Sequence, residues 1–581
     1  MAVTLRTGLT IATVSAVMVA SAAGGIVRNR ITITSLTPPP SQITDAAAAR
    51  FLTQSAYGVT DADIAAVEKL GYAGWIDQQV AEPGNVRASE WIWNILAARR
   101  AAAAASIGAD INDFSHVYWR QTVTGKDQLR QRVQLALSEI LVTSYTSSTY
   151  SNLAASFADY WDMLGRDAFG NFRTLLEDVT LHPAMGVYLN SLGSMKENPA
   201  TGQGPDENFA REIMQLMTIG LYQLNPDGTR KRDDAGQPIP AYSHDDIVGL
   251  SRVFSGMGWY RTTPVHDNHR TDLPSTLEEL SHPMIYYDAL HSTSAKTFLT
   301  VSIPASATLN SPAELKLALD TLFNHPNVGP FIGRQLIQRL VTSNPTPAYV
   351  GRVAAVFNNN GQGVRGDLRA VVKAILIDPE ARQPSLTGTT TDGKLGEPVI
   401  RASSLLRTFG ATSRSGTWNL NNQSDPRALN QAAMLSPSVF NFFRPGYVAP
   451  NSRTGDRGLV APEMQLVNEV TVAGYLNFMQ QLIGTGAGNP VNGASGYDVN
   501  LDPSAEMALA HDPTALVARL NRLLFAGRMS TGLQANIARA VASLPMPAAT
   551  ATPAQVAAVR SSRARMAIFL SVASPEYLVQ P

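Results

Sequence analysis

Between Pro205 and Met217 the chain reads Pro-Asp-Glu-Asn-Phe-Ala-Arg-Glu-Ile-Met-Gln-Leu-Met. At about 100° per residue, Asn208, Arg211, Glu212 and Gln215 share one narrow stripe, with Glu207 at its edge. Phe209, Ile213, Leu216 and Gly220 cover one flank, and Ala210, Met214, Met217 and Leu221 another. A helix apolar nearly all round is a buried helix. This one would take a carboxylate, a guanidinium and two amides inside with it, and buried charges have to be paired and hydrogen-bonded. In a site, Glu207 or Glu212 would be the acid or base, Arg211 a clamp for an anion or hydroxyl, and Asn208 would orient a water or sugar hydroxyl. The competing reading is structural: Glu207 and Arg211 form an i,i+4 pair, Asn208 caps backbone, and Glu212 pairs with an arginine such as Arg132.

The histidines supply the next candidates. His182 precedes Pro183, a good first residue for a helix, and lies over the apolar face of Met185 and Leu189. It is read as a general base or metal ligand facing the central helix, or else as a cap on the preceding helix. His291, followed by Lys296-Thr297 and with Asp288 nearby, sits in a predicted loop, where chemistry is more often placed than packing. His244 lies in Ser243-His244-Asp245-Asp246, where Ser243 is an N-cap and the two acids complement a helix dipole. His266, Asp267 and His269 cluster in an irregular stretch with donors suited to Zn²⁺ or Mn²⁺. After His325-Pro326 a helix carries Arg334, Gln338 and Arg339 on its polar face, and Arg334 would grip a carboxylate or sulfate bidentately. No nucleophile elbow, zinc-protease helix, calcium loop or dinucleotide fingerprint occurs, so no metal-ligand set is assigned, a metal stays open, and a nucleotide cofactor is argued against.

Around these residues the sequence lays out a large helical chain. It has 581 residues, 44% of them hydrophobic, enough for a sizeable core. Its 46 basic and 46 acidic residues form no block of one sign, which argues against a nucleic-acid binder. There is no cysteine, which excludes disulfides, lipoprotein attachment, thiolate metal sites and a cysteine nucleophile. Arg6, the apolar run Leu9 to Ala20 and Ala20-Ser21-Ala22 read as a signal peptide cleaved near residue 22, so the mature protein is expected to be periplasmic or extracellular. The alternative is an uncleaved anchor over Gly8 to Val27. No other run approaches about 18 apolar residues, so no membrane span is expected in the mature form.

The periodicities predict an all-α fold with long irregular loops, a few short strands, and a C-terminal helical extension. Residues 23–43 form a Pro/Thr/Ser leader, 44–410 the main helical domain and 411–581 the extension. Thr60 caps a helix from Asp61 that Gly71 ends, and Trp75 begins another. Leu129, Val133, Leu137 and Ile140 make one stripe. Asn225-Pro226-Asp227-Gly228 is a turn, and short strands are predicted at Met284–Tyr287 and Thr297–Val301. The central helix is expected at the base of a cleft roofed by loops 193–204, 225–243 and 261–300.

Several segments together carry a family resemblance: Leu129-Arg130-Gln131-Arg132, His182 to Leu189, Glu207 to Glu212, Asp245-Asp246-Ile247, His291 with Lys296-Thr297, His325-Pro326, and Lys394 to Val399. In that order they resemble the bacterial domain-of-unknown-function 1800 family, over about residues 46 to 480. The resemblance implies an exported, mostly helical protein, often encoded beside a sulfatase-like family, with no assigned reaction. Other branches tend to carry histidine where this chain has Ser138, Ile140 and Met217, so a metal held there would not be held here in the same way.

Two functional classes follow. One is an extracytoplasmic hydrolase or lyase acting on a polar polymer such as a polysaccharide. It would use Glu207, Glu212, His182 and His291 for catalysis, and Asn208, Arg211, His244, Lys296 and Arg334 to hold substrate. The other is a non-catalytic binding or assembly factor working with an exported sulfatase-like partner.

Overall fold

The computed structural model describes residues 43–84, 87–102, 109, 111–147, 153–262, 273–274, 276–382, 393–490 and 496–580. The signal-peptide and leader readings, apart from Ile43, and the His266, Asp267 and His269 cluster lie outside them. Among the described residues there are 23 α-helices against nine strands of four residues or fewer, so the fold is all-α. None of the helices is long and apolar enough to cross a membrane.

Helix starts follow the capping chemistry. Thr60 Oγ1 accepts the Asp63 amide at 3.1 Å. Ser243 and Asp246 close a reciprocal capping box at the head of His244–Phe254. Gly71 ends its helix as expected: with φ 72° and ψ 166° it is non-helical, and a second helix takes over beyond the kink within Asp61–Ala81.

The Gln128–Ser138 helix lies at the centre and packs on Asp61–Ala81, Ala154–Asp167 and Val328–Leu340. Its predicted stripe is buried, with Leu129, Val133, Leu137 and the following Ile140 at 4% exposure or less. Beyond it, Val328–Leu340 packs on Pro347–Asn358. The late helices rest on the early ones: Arg519 reaches Asp61 at 2.9 Å, and Arg522 reaches Asp45 at 3.1 Å. At the very end, Val579–Gln580 pairs antiparallel with Lys394–Leu395, and Gln580 Nε2 donates to the Leu340 carbonyl at 2.8 Å.

The predicted strand at Thr297–Val301 is instead a hairpin, with Lys296–Phe298 paired to Val301–Ile303. Leu299, with φ 51°, turns the chain in its middle. The hairpin lies against His244–Phe254, and Gly249 makes the contact: a Cβ there would stand 1.8 Å from the Thr297 carbonyl oxygen. That obstacle is backbone and cannot swing away. Gly249→Ala is therefore expected to lower stability by about 3 kcal/mol, at the upper end for overpacking. Urea unfolding would measure it, and a midpoint equal to that of the parent protein would refute the contact.

Candidate functional site

Segments far apart in sequence surround a cleft of about 860 Å3. One wall is an arm, residues 221–241, folded on itself through the bridges Tyr222 to Pro240, Leu224 to Arg230 and Arg232 to Pro238. The predicted turn at Asn225–Gly228 lies within the arm, with the Gly228 amide donating to the Asn225 carbonyl at 2.9 Å. Asn327 pins the arm's root. Its Nδ2 donates to the carbonyls of Ile219 and Tyr222, both at 2.8 Å, and its Oδ1 accepts the Leu224 amide at 2.9 Å. The opposite walls come from Pro330–Arg339 and from Val439–Val448, and the floor from Glu139 and Ile140.

Charge in the cleft is one-sided. Arg230, Arg232, Arg334, Arg339 and Arg444 line it, and among the described lining residues Glu139 is the sole carboxyl. Arg230 lies over Tyr222 at 4.7 Å and Arg444 over Phe440 at 4.4 Å. Such cation–π contacts steady a guanidinium without neutralising it. Arg334 is exposed and has no carboxylate partner among the described residues, and partial desolvation within the cleft together with the nearby Arg230 pushes its pKa down. Gln335 Nε2, Gln338 Oε1 and Arg339 Nη1 are buried without a hydrogen-bond partner. Unpaired buried polar atoms are rare in folded proteins and call for an explanation.

Under the floor lies a knot of buried ionic groups. Glu139 follows the last residue of Gln128–Ser138, and its Oε2 lies 3.2 Å from Arg339 Nε. Glu139 also hydrogen-bonds Glu397, and Gln431 Nε2 donates to both carboxyls, at 2.8 Å to Glu397 and 3.4 Å to Glu139. Lys394 Nζ donates to the Arg339 carbonyl at 2.8 Å and to Glu397 at 3.2 Å, and it pairs with Glu463 at 3.1 Å. The two linked carboxyls are driven apart. Burial opposes ionisation of Glu397, but Lys394, the bond from Glu139, Arg339 and Arg132 outweigh it and hold Glu397 at about 2. Burial and the charge of Glu397 push Glu139 well above the usual carboxylate range, against the pull of Arg339. The outcome is a carboxylic acid that keeps its proton beside an ionised neighbour, facing an arginine-lined cleft.

A family model described as "Protein of unknown function (DUF1800)" matches residues 50–579. The chain belongs to the DUF1800 family. No curated protein and no solved structure matches it. The family match continues about a hundred residues past the expected limit near 480, to take in the tail that pairs with Lys394–Leu395.

In this DUF1800 chain, Arg334 alone among the nine predicted site residues lines the cleft. The others are placed elsewhere. The central helix spans Asn208–Gln215, and its polar stripe is not enclosed. Glu207 and Arg211 form the i,i+4 pair at 3.1 Å with side chains 34% and 42% exposed. His244, also exposed, stands 3.9 Å from Glu207. Asn208 is half-buried, and its backbone amide donates to Asp206. Only Glu212 of the stripe's charged groups is buried. Burial raises its pKa against the pull of Arg211, and Tyr188 and Tyr242 feel its charge. Arg132 does not pair with it and belongs to the knot around Glu397.

The two catalytic histidine candidates are occupied by structure. His182 Nδ1 accepts the Ala184 amide at 3.2 Å, capping the helix that follows, so Nε2 carries the proton toward Asp159 at 3.3 Å. His291, fully buried, faces the Ser255 carbonyl at 2.7 Å and the Glu314 carboxylate at 3.0 Å, so both ring nitrogens are engaged. Lys296 Nζ reaches the same Glu314 oxygen at 3.0 Å and the Ser292 carbonyl at 2.7 Å. These contacts leave no ring nitrogen for a substrate. Of the roofing loops, only 225–243 borders the cleft; 193–204 and the described part of 261–300 do not. Among the described residues no group of three or more histidines or carboxylates is arranged to hold a metal.

Sequence reasoning gave no role to Glu139, Glu397, Arg230, Arg232, Arg444 and Gln335. A signal for the first was present: Glu139 directly precedes Ile140, the last residue of a wholly apolar stripe, where an acid is out of place.

Proposed function

We propose that the protein is an extracytoplasmic enzyme, a hydrolase or lyase, that acts on a polar polymer such as a polysaccharide in the arginine-lined cleft, with Glu139 as general acid. The observation that carries this reading is the placement of a proton-holding carboxyl at the cleft floor. A general acid hands its proton to the leaving oxygen as the bond to it breaks, and it works best when its pKa lies near the working pH. Glu397, held ionised behind it, keeps that proton in place between turnovers. A two-carboxylate glycosidase acting across the groove is not supported, because no second carboxyl lines it among the described residues. Cleavage therefore uses Glu139 with groups of another kind, and Tyr222, Thr229 and Tyr447 carry the hydroxyls among the described lining residues.

Export is supported by the signal-like N-terminal sequence. A second reading, a binding or assembly factor for an exported sulfatase-like partner, draws on Leu221 and Val448, apolar side chains 51% and 42% exposed among the cleft's lining residues. The deciding experiment is an assay of the purified mature protein on a panel of neutral and acidic polysaccharides over a range of pH. Cleavage with a limb that falls toward alkaline pH, as Glu139 loses its proton, is the expected outcome. Cleavage without that limb removes Glu139 as the acid, and no cleavage of any polymer removes the enzyme and leaves the binding factor.

A further inference from the structure

Four of the arginines on the cleft, Arg230, Arg232, Arg334 and Arg444, reach solvent and can meet a ligand. Arg334 stands close enough to Arg230 to feel its charge, and no carboxylate answers either of them among the described residues. Like charges held close together repel. The arrangement becomes favourable when an anion lies between them, and a guanidinium fork matches the flat oxygen pairs of carboxylate and sulfate. Beside the arginines, Gln335 Nε2 and Gln338 Oε1 are a buried donor and acceptor without partners, both on the cleft lining at 8% and 2% residue exposure. An amide donor and an amide acceptor together are what a hydroxyl needs. A ligand that answers the whole lining carries oxyanions and hydroxyl groups side by side.

We infer that the ligand of this cleft is an acidic saccharide chain, with its carboxylate or sulfate groups taken by Arg230 and Arg334 and its hydroxyls by Gln335 and Gln338. The inference rests on the functional reading above only for the place of binding. Nucleic acid also carries oxyanions. Single-stranded DNA fits less well: two of the four rings on the lining, Tyr222 and Phe440, are covered by Arg230 and Arg444, and its deoxyribose chain offers no free hydroxyl to Gln335 and Gln338.

The test is calorimetric titration of the mature protein with polygalacturonate, dextran sulfate, unmodified dextran and single-stranded DNA, at low and high salt. At least one of the two acidic glycans is expected to bind, more weakly as salt screens the charges. Arg334→Gln is expected to weaken that binding about tenfold or more, the usual loss for a charged hydrogen bond. Arg427→Ala, which removes an exposed arginine paired with Asp425 outside the cleft, is expected to leave it unchanged. The ligand-free melting temperature of Arg334→Gln should not fall below that of the parent protein, because an exposed arginine without a carboxylate partner contributes little to folding. Equal binding of plain dextran, preference for DNA, no effect of Arg334→Gln on affinity, or a lowered melting temperature in that variant would each overturn the inference. Polygalacturonate and dextran sulfate then separate carboxylate from sulfate. Binding of an acidic glycan without cleavage removes the role given to Glu139 and leaves the ligand class standing. Cleavage of neutral dextran alone does the reverse.

Discussion

A Glu139→Gln protein is expected to fold normally and to lose turnover by a factor of about 10²–10⁴, the usual contribution of a general acid. Glutamine fills the same volume and can still donate to Glu397, so the knot beneath the floor keeps its hydrogen bonds. What it lacks is a proton that leaves. Stability gives an independent check. The folded pKa of Glu139 lies above its ordinary value, so its contribution is fully present below about pH 4.5 and is lost as pH rises through the folded value. Glutamine does not titrate there. The variant should therefore gain on the parent protein in melting temperature as the solution is made more alkaline. Undiminished turnover, or an alkaline limb that survives the substitution, would show that the proton comes from elsewhere.

Lys394→Met is expected to lower stability by about 3–5 kcal/mol, the range for removing one partner of a buried ion pair. The lysine is fully enclosed and touches two carboxylates and a carbonyl. Methionine replaces its bulk and leaves Glu397 and Glu463 facing each other's charge. The loss should depend on pH in a defined direction. In the parent protein Glu397 is depressed to about 2, so its stabilising contribution exists above its ordinary value near 4.5 and disappears as pH falls from there toward 2. Without Lys394 that contribution loses its largest source. The gap between variant and parent should be widest above about pH 5 and narrow on acidification, as guanidinium unfolding at several pH values would show. A gap of constant size would mean that lost packing, and not charge, is responsible.

The helices of this protein could be read from its sequence because the signals that make them are local. Thr60 and Ser243 cap where their side chains reach the next turn, and the Leu129, Val133, Leu137 and Ile140 stripe is buried by its spacing. Helical periodicity also placed Glu212 inside. It failed for Arg211 and Glu207, because spacing fixes which residues share a face and not whether another element covers that face. Leu299 was read through as strand because nothing in a leucine announces a left-handed turn. The site was harder still. Its carboxyl comes from residue 139, its ionised companion from 397, and its arginines from 230, 232, 334, 339 and 444, which only the tertiary fold brings together. Arg334 was found because it stands on the polar face of a regular helix. Arg230 and Arg232 were passed over because a Pro/Gly-rich arm looks like exposed loop, and its attachment at Asn327 lies about a hundred residues away.

Equal numbers of acids and bases make the whole chain neutral, yet five of its arginines open onto one hollow that holds a single acid. The surplus of negative charge must then lie elsewhere on the molecule. A hollow so charged gathers field lines and raises the concentration of a polyanion at its mouth, so the rate of productive encounter rises before any contact forms.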